Sequence, residues 1–333
     1  MTFQDLCVRI IRLACLHLSE EIMSKKTVVG RFAPTPSGRM HLGNVMCALV
    51  SWLSARSQGG KVLLRIEDLD TRRCGWEENT RLLIDDLDFL GLEFDGGYDR
   101  SLWQSSRTDI YAEAFEKLRS EGLVYPCLCT RSELHAATAP HLSDGRYVYD
   151  GRCYKKFSEG YGIPAGAHPA MRVHVPDGNV SFEDGICGFY IENLARDCGD
   201  FVVRRADGIY AYQLAVTVDD CLSGVTEVFR GRDLLSSTPC QLWLAGTLGL
   251  EPPADYCHVP LMIDADGRRL SKRDADLDMG ALRRKYSPEM IIGIVAASLS
   301  LIEKPEPIGV NDLIPLFSRD KLPRGDIRLC LPL

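Results

Sequence analysis

Residues 31–44 read RFAPTPSGRMHLGN, and their reading decides the fold. A basic residue leads into two prolines, Pro34 and Pro36, then small hydroxylated residues, a glycine, His41 and Gly43. The prolines make this run too stiff for a helix interior and too broken for a central strand. It lies between TVVGRFA, a β-rich run that reads as a buried strand, and GNVMCALVSWLSARSQGG, which has helical spacing and stops at Gly59 and Gly60. A loop joining a first strand to a helix sits where open α/β sheets bind ligands. The helix start offers unpaired N–H groups and a positive dipole end, which suits phosphate. Gly43 lets the backbone approach a flat ring or phosphate closely, and His41 can donate to a phosphoryl oxygen. The alternative is a tight turn shaped by the two prolines, with His41 a satisfied surface histidine.

Outward from this loop the chain alternates. KVLLRI reads as a second strand and ends in the charged string EDLD. ENTRLLIDDLDFLGL places Leu82, Leu83, Leu87 and Leu90 on one helical face, and TDIYAEAFEKLRSEG is a third helix. Strand, helix, strand, helix predicts a parallel α/β sheet. From about 124 to 200 the texture changes to Cys, Gly, Pro and short strand-like pieces, which predicts an insertion with its own small fold. GDFVVRRADGIYAYQLAVTVDD reads as two strands around an Ala-Asp-Gly turn. GVTEVFRG is a further strand, and STPCQLWLAGTLGL a helix capped by Ser236, Ser237 or Thr238. Residues 279–303 are mainly helical, and the Pro-rich tail 304–333 reads as loop.

The 333 residues suggest a core domain plus an appended piece. Hydrophobic residues at 45% and charged residues at 26% are ordinary for a soluble globular protein. No apolar run reaches the roughly 18 residues of a membrane span, so no membrane partner is expected. Residues 1–26 carry apolar patches broken by arginines and glutamates, unlike a secretory signal; they read as an N-terminal extension, and Met23 is an alternative start. The thirteen cysteines are mostly scattered and read as reduced thiols, which predicts a cytoplasmic protein. A net charge of −7 argues against a general nucleic-acid coat, while leaving room for a local basic face.

GRRLSKRDAD supplies that face, with Arg268, Arg269, Lys272 and Arg273 beside a flexible glycine. A mobile basic loop can neutralise charge that develops on phosphate during transfer. With it the pattern completes. RFAPTPSGRMHLGN, RIEDLDTRR, AYQLAVTVDD, VTEVFRGRDLLSSTPCQ and RRLSKR occur in the order found in class I aminoacyl-tRNA synthetases of the glutamate type, over about 27 to 290. His41-Leu42-Gly43-Asn44 resembles that family's HIGH signature, and Arg269-Leu270-Ser271-Lys272-Arg273 its KMSKS loop. Asn44 stands where the signature has a second histidine, and Arg269 and Arg273 depart from the loop's ends.

The resemblance implies a Rossmann-type parallel sheet interrupted by a small zinc-containing insertion and followed by a helical C-terminal remnant. The expected divisions are an extension over 1–26, the two halves of the catalytic domain over 27–123 and 201–278, the insertion over 124–200, and a helical segment and tail over 279–333. Only about 40 residues follow the catalytic motifs, too few for an anticodon-binding domain of typical size. The chain therefore resembles the short glutamyl-Q tRNA(Asp) synthetases, which attach glutamate to the queuosine base of tRNA(Asp). The alternatives are a truncated or discriminating synthetase charging a tRNA 3′ end, and a non-catalytic RNA-binding paralogue.

That resemblance implies ATP with Mg²⁺, L-glutamate, tRNA(Asp) carrying queuosine, and a monomer. Arg31 is the expected grip on the γ-carboxylate, with Ala33 and Thr35 alongside. Glu67 is expected to take the α-ammonium, and Tyr212 and Arg230 to make further contacts. His41, Gly43, Asn44 and Lys272 would hold ATP, with His41 and Lys272 the catalytic pair. Cys127, Cys129, Tyr149 and Cys153 resemble the family's zinc site; His135 and His141 are rival fourth ligands, and the residues could also form a knuckle held by packing alone.

Overall fold

The protein was analysed as a computed structural model, which describes residues 27–72, 75–130, 133, 148–263 and 278–328. The first strand β1 (Val29–Phe32) pairs in parallel with β2 (Lys61–Leu64), matching Val29 to Lys61 and Phe32 to Leu64. Between them runs α1 (Leu42–Ser57), buried on nearly every side through Leu42, Val45, Met46, Leu49, Trp52 and Leu53. An apolar surface this broad belongs to a helix packed from both sides. Here one side takes the sheet, and the other takes α8 (Pro288–Ser298) and the 3₁₀ turn Val310–Leu316. α2 (Trp76–Phe89) buries Leu83 and Leu87, with Leu82 half exposed, and α3 (Thr108–Ser120) buries Tyr111, Phe115 and Leu118.

Beyond α3 the sheets become mixed. β3 (Val124–Cys127), β4 (Ala170–Val173) and β7 (Phe201–Arg204) form an antiparallel sheet, with α4 (Arg152–Ser158) against β3. β5 (Asn179–Asp184) and β6 (Gly188–Asn193) form a hairpin. Through β5 the hairpin joins β9 (Asp255–Val259), which pairs in parallel with β8 (Glu227–Gly231). β8 lies beside β1, where Val29 N donates to Thr226 Oγ1 at 2.9 Å and Thr226 N donates to Val29 O at 2.9 Å. The C-terminal ends of β1 and β8 therefore face one crevice.

Two expectations need correction. The second strand read into IYAYQLAVTVDD is a helix, α5 (Tyr212–Leu222). Its β-branched run Val216-Thr217-Val218 favours a strand by propensity, although Gln213, Thr217 and Asp220 recur at helical spacing. The tail is not only loop. β11 (Ile327–Arg328) pairs in parallel with β10 (Met262–Ile263), and Arg319 makes ion pairs with Glu227 and Asp255. The predicted helix of STPCQLWLAGTLGL is α6 (Thr238–Thr247), with Ser237 at its N-cap position but no side-chain capping bond. α7 (Met279–Lys285) precedes α8. Residues 1–26 lie outside the described residues.

Candidate active site

The crevice holds a cavity of about 390 Å³ at the ends of β1 and β8. Arg31, Ala33 and Thr35 line it from the first loop, and His41, Gly43 and Asn44 from the start of α1. Glu67 comes from the end of β2, Tyr212 from the first turn of α5 and Arg230 from β8. Elements far apart in sequence thus bring the predicted glutamate and nucleotide residues to one place. Lys272, with Arg268, Arg269 and Arg273, lies outside the described residues. The chain on the far side of that stretch returns to the site: Asp278 bridges His41, and Met279 N donates to Met40 O at 2.8 Å.

Arg31 is 3% exposed. Its Nε donates to Asp220 Oδ1 at 3.1 Å, its Nη2 to Asp220 Oδ2 at 3.5 Å and its Nη1 to the Phe229 carbonyl at 3.0 Å. These contacts use three of the five guanidinium N–H bonds. One hydrogen on each Nη remains available to a ligand carboxylate. Asp220 also takes Arg65 Nη1, and Arg65 Nη2 donates to Glu67 Oε1 at 3.3 Å. Burial opposes ionisation of Asp220, but the Arg31 and Arg65 guanidiniums outweigh it and hold its carboxyl down at about 2. Burial pushes Glu67 up, while Arg65 and Arg31 oppose the rise. Glu67 N donates to Pro34 O at 3.0 Å, so the proline loop fixes the depth of this carboxylate.

Behind this layer, fully buried Asp219 accepts from Gln104 Nε2 at 2.8 Å, Arg107 Nε at 2.6 Å and Tyr111 Oη at 2.9 Å. Asp220 thus holds Arg31 and Arg65, while Asp219 anchors α5 to α3 through Tyr111 and also faces Arg65 Nε at 3.8 Å. Neither role was predicted from sequence. The pair of acids closing VTVDD was visible, but the strand assignment placed successive residues on opposite faces.

Arg230 is held by a buried relay. Its Nε donates to His258 Nε2 at 2.9 Å, and its Nη2 to Thr238 Oγ1 at 2.8 Å. His258 Nδ1 lies 2.5 Å from Asp184 Oδ2. Asp184 can only accept, so the imidazole proton sits on Nδ1 and Nε2 offers a lone pair to Arg230. Burial first, then the nearby Arg230 charge, push the His258 imidazole down to about 4, although Asp184 pulls the other way. Arg230 Nη1 is buried without a hydrogen-bond partner. Such a donor is costly to leave unmade, and it belongs to a residue lining the cavity. His258 was also missed by sequence, because a lone histidine in YCHVP carries no pattern.

At the start of α1, His41 is the N-cap. Its Nδ1 accepts from Gly43 N at 3.1 Å, and its N donates to Asn44 Oδ1 at 3.2 Å, a reciprocal capping box. A Cβ on Gly43 would stand 2.9 Å from His41 Cε1. Glycine is therefore needed here for the imidazole's seat, before any ligand is considered. Arg39 Nη1 donates to buried Asp86 Oδ1 at 2.6 Å, and Arg283 Nη1 reaches the same oxygen at 2.9 Å, tying the loop to α2 and α7.

About the end of β3, the sulfurs of Cys127, Cys129 and Cys153 lie within 4.8 Å of one another. Cys129 and Cys153 Sγ are 3.4 Å apart, and Tyr149 Oη lies 3.7 Å from Cys127 Sγ and 3.8 Å from Cys129 Sγ. Zinc–sulfur bonds of about 2.3 Å give tetrahedral edges of about 3.8 Å, so this donor set fits zinc. The Arg172 guanidinium sits 3.9 Å over the Tyr149 ring and fixes it against the cluster. His135 and His141 lie outside the described residues.

Comparison with known proteins agrees with this architecture. The family described as tRNA synthetases class I (E and Q), catalytic domain, matches residues 27–298. A glutamyl-Q tRNA(Asp) synthetase of Symbiobacterium thermophilum is 42% identical over 311 residues, covering 90% of this chain and 95% of that protein. One of Nitratidesulfovibrio vulgaris is 44% identical over 303 residues, covering 88% and 93%. Among solved structures, a glutamate tRNA ligase of Elizabethkingia meningosepticum in complex with its amino acid superposes with a TM-score of 0.73 at 28% identity, covering 92% of this chain and 67% of that one. A match this long, at this identity and with near-complete coverage of the relatives, makes the chain a member of the class I glutamyl and glutaminyl tRNA synthetase family, in its glutamyl-Q tRNA(Asp) synthetase branch.

Proposed function

We propose that this ligase condenses L-glutamate with ATP to glutamyl-adenylate and transfers the glutamyl group to the queuosine base of tRNA(Asp). The observation that carries the reading is the Arg31 guanidinium, locked along one edge by Asp220 and at Nη1 by the Phe229 carbonyl, with one N–H left over on each Nη. That fork would take the γ-carboxylate; glutamine would set an NH₂ against it and lose a hydrogen bond. Ala33 and Thr35 flank the same ligand. Glu67 would bind the α-ammonium, and Tyr212 and Arg230 the rest of the amino acid.

The α-carboxylate oxygen then attacks the α-phosphorus of ATP, an O–P bond forms, and pyrophosphate leaves. This chemistry needs positioning and charge stabilisation, with no protein nucleophile. His41, Gly43 and Asn44 at the start of α1 suit the phosphates and adenine. Lys272 is assigned to the charge growing on the phosphates, and Mg²⁺ enters with the nucleotide. The three thiolates and Tyr149 would hold zinc as a structural clamp on the region around β3. A thiol cluster needs a reducing compartment, which supports a cytoplasmic setting.

The test is incubation with ATP, labelled glutamate and tRNA(Asp) with or without queuosine. Label only on the modified tRNA, surviving removal of the terminal adenosine, is the expected result. Label lost with that adenosine would assign the chain to 3′-end charging instead.

A further inference from the structure

We propose that Arg39 is a further nucleotide ligand, contacting the phosphates of ATP, and that buried Asp86 is the positioning residue that aims it. This rests on the activation step proposed above and adds to the groups assigned there to the nucleotide. Three arginines line the cavity, Arg31, Arg39 and Arg230. Arg31 and Arg230 are assigned to the amino acid, and buried partners hold each of them. Arg39 stands in the loop that leads into α1, just ahead of His41, and so on the side of the cavity assigned to the nucleotide.

Arg39 is fixed but not used up. Its Nη1 donates to Asp86 Oδ1 at 2.6 Å. Its stem crosses the start of α7, where a Cβ on Gly280 would stand 3.0 Å from Arg39 Cδ and 3.2 Å from its Nε. Among the described residues its other N–H bonds have no hydrogen-bond partner. A guanidinium held at one nitrogen and open at the others suits the oxygens of a phosphate. A tie between the loop and α2 would hold equally well from a side chain turned away from the cavity, whereas this one lines it.

Asp86 is fully buried on α2 and does not line the cavity, so it reaches a nucleotide only through Arg39. The oxygen that accepts from Arg39 also accepts from Arg283 Nη1 at 2.9 Å. Arg283 is fixed in turn by Asp85 and by the Phe89 ring, whose centroid lies 4.2 Å from its guanidinium carbon. Asp86 Oδ2 is buried and, among the described residues, without a hydrogen-bond partner. The hydrogen bonds of this carboxylate therefore converge on one atom, and that atom places both arginines. Burial pushes the Asp86 carboxyl up, while Arg283 and Arg39 oppose the rise. Away from water such contacts are strong and hold their geometry, which is what aiming Arg39 requires.

The test is titration calorimetry with ATP and with adenosine, Mg²⁺ present, on the parent chain, Arg39→Ala, Arg39→Lys, Asp86→Asn and the double variant Arg39→Ala with Asp86→Asn. Arg39→Ala should lose about tenfold in affinity for ATP and stay within about twofold for adenosine, which has no phosphate to contact. Arg39→Lys keeps the charge and should recover part of the loss. Asp86→Asn should weaken ATP binding in the parent and add little once Arg39 is alanine. Unchanged ATP affinity in Arg39→Ala, adenosine weakened in step with ATP, or a lysine variant no better than the alanine one overturns the phosphate contact. An equal loss from Asp86→Asn in both backgrounds overturns the positioning role; if that variant does not fold, Asp86→Glu, which keeps the charge and shifts the oxygen, takes its place in the same comparison. A parent that binds ATP but exchanges no pyrophosphate contradicts the activation step, and the binding constants still decide the role of Arg39.

Discussion

Asp220 grips Arg31 along one edge, accepting from Nε at 3.1 Å and Nη2 at 3.5 Å, while the same carboxylate also takes Arg65. One buried acid thus balances two buried guanidiniums, and its loss would leave both under-compensated. Asp220→Ala should cost about 3–5 kcal/mol, the range for breaking a buried ion pair from one side. Urea unfolding checks this. A loss below about 1 kcal/mol, as for an exposed pair, would mean the guanidiniums are balanced elsewhere.

The same carboxyl sets an acid limit. Its folded value of about 2 lies below the ordinary 3.8, so its stabilisation is present above 3.8 and is lost as pH falls toward 2. His258 acts at higher pH. Its folded value of about 4 lies below the ordinary 6.5, so between these values the unfolded chain binds a proton that the folded chain refuses. Stability should therefore fall as pH drops from 6.5 to 4, by on the order of 3 kcal/mol from this group. His258→Gln, which keeps an acceptor for Arg230, should flatten that slope. An unchanged slope in the variant assigns it to other groups.

The relay makes a kinetic prediction as well. His258→Leu removes the acceptor that holds Arg230 Nε, whereas His258→Gln can replace it. The leucine variant should raise the KM for glutamate about tenfold, with the glutamine variant recovering most of the loss. Equal effects in the two would reduce His258 to a packing residue.

At the start of α1, Gly43→Ala places a methyl 2.9 Å from the His41 ring. The imidazole must move, because Cβ is rigidly attached to the helix backbone. Pyrophosphate exchange should fall about tenfold or more while far-UV circular dichroism stays unchanged. Parental exchange would show that the seat of His41 is unimportant for activation.

The thiol cluster predicts about one zinc per chain by atomic absorption, lost in Cys129→Ser. Removing it should lower the melting temperature and leave tRNA-independent exchange nearly intact, because the cluster lies apart from the residues lining the glutamate cavity. Metal-free protein with an unchanged melting temperature would leave the cluster held by packing alone.

Much of this could be read from sequence where local chemistry is distinctive. The stiff loop at Pro34 and Pro36, the signature His41-Leu42-Gly43-Asn44 and the Cys-x-Cys spacing each announce themselves within a few residues. What stayed hidden depends on contacts distant in sequence. Asp220 meets Arg31 across 189 positions, and His258 meets Asp184 across 74, so no window of sequence contains either pair. α5 escaped because its Val-Thr-Val run favours a strand locally, and only its packing decides for the helix. β11 escaped because a two-residue strand in a Pro-rich tail is defined only by its partner β10.

The most direct test of the central claim is selectivity at Arg31. Pyrophosphate exchange should be measured with glutamate and with glutamine for the parent chain and for Arg31→Ala. The parent should prefer glutamate strongly, and the variant should lose about tenfold or more of that preference. A variant that still prefers glutamate over glutamine to the parental degree would show that the side-chain carboxylate is read elsewhere.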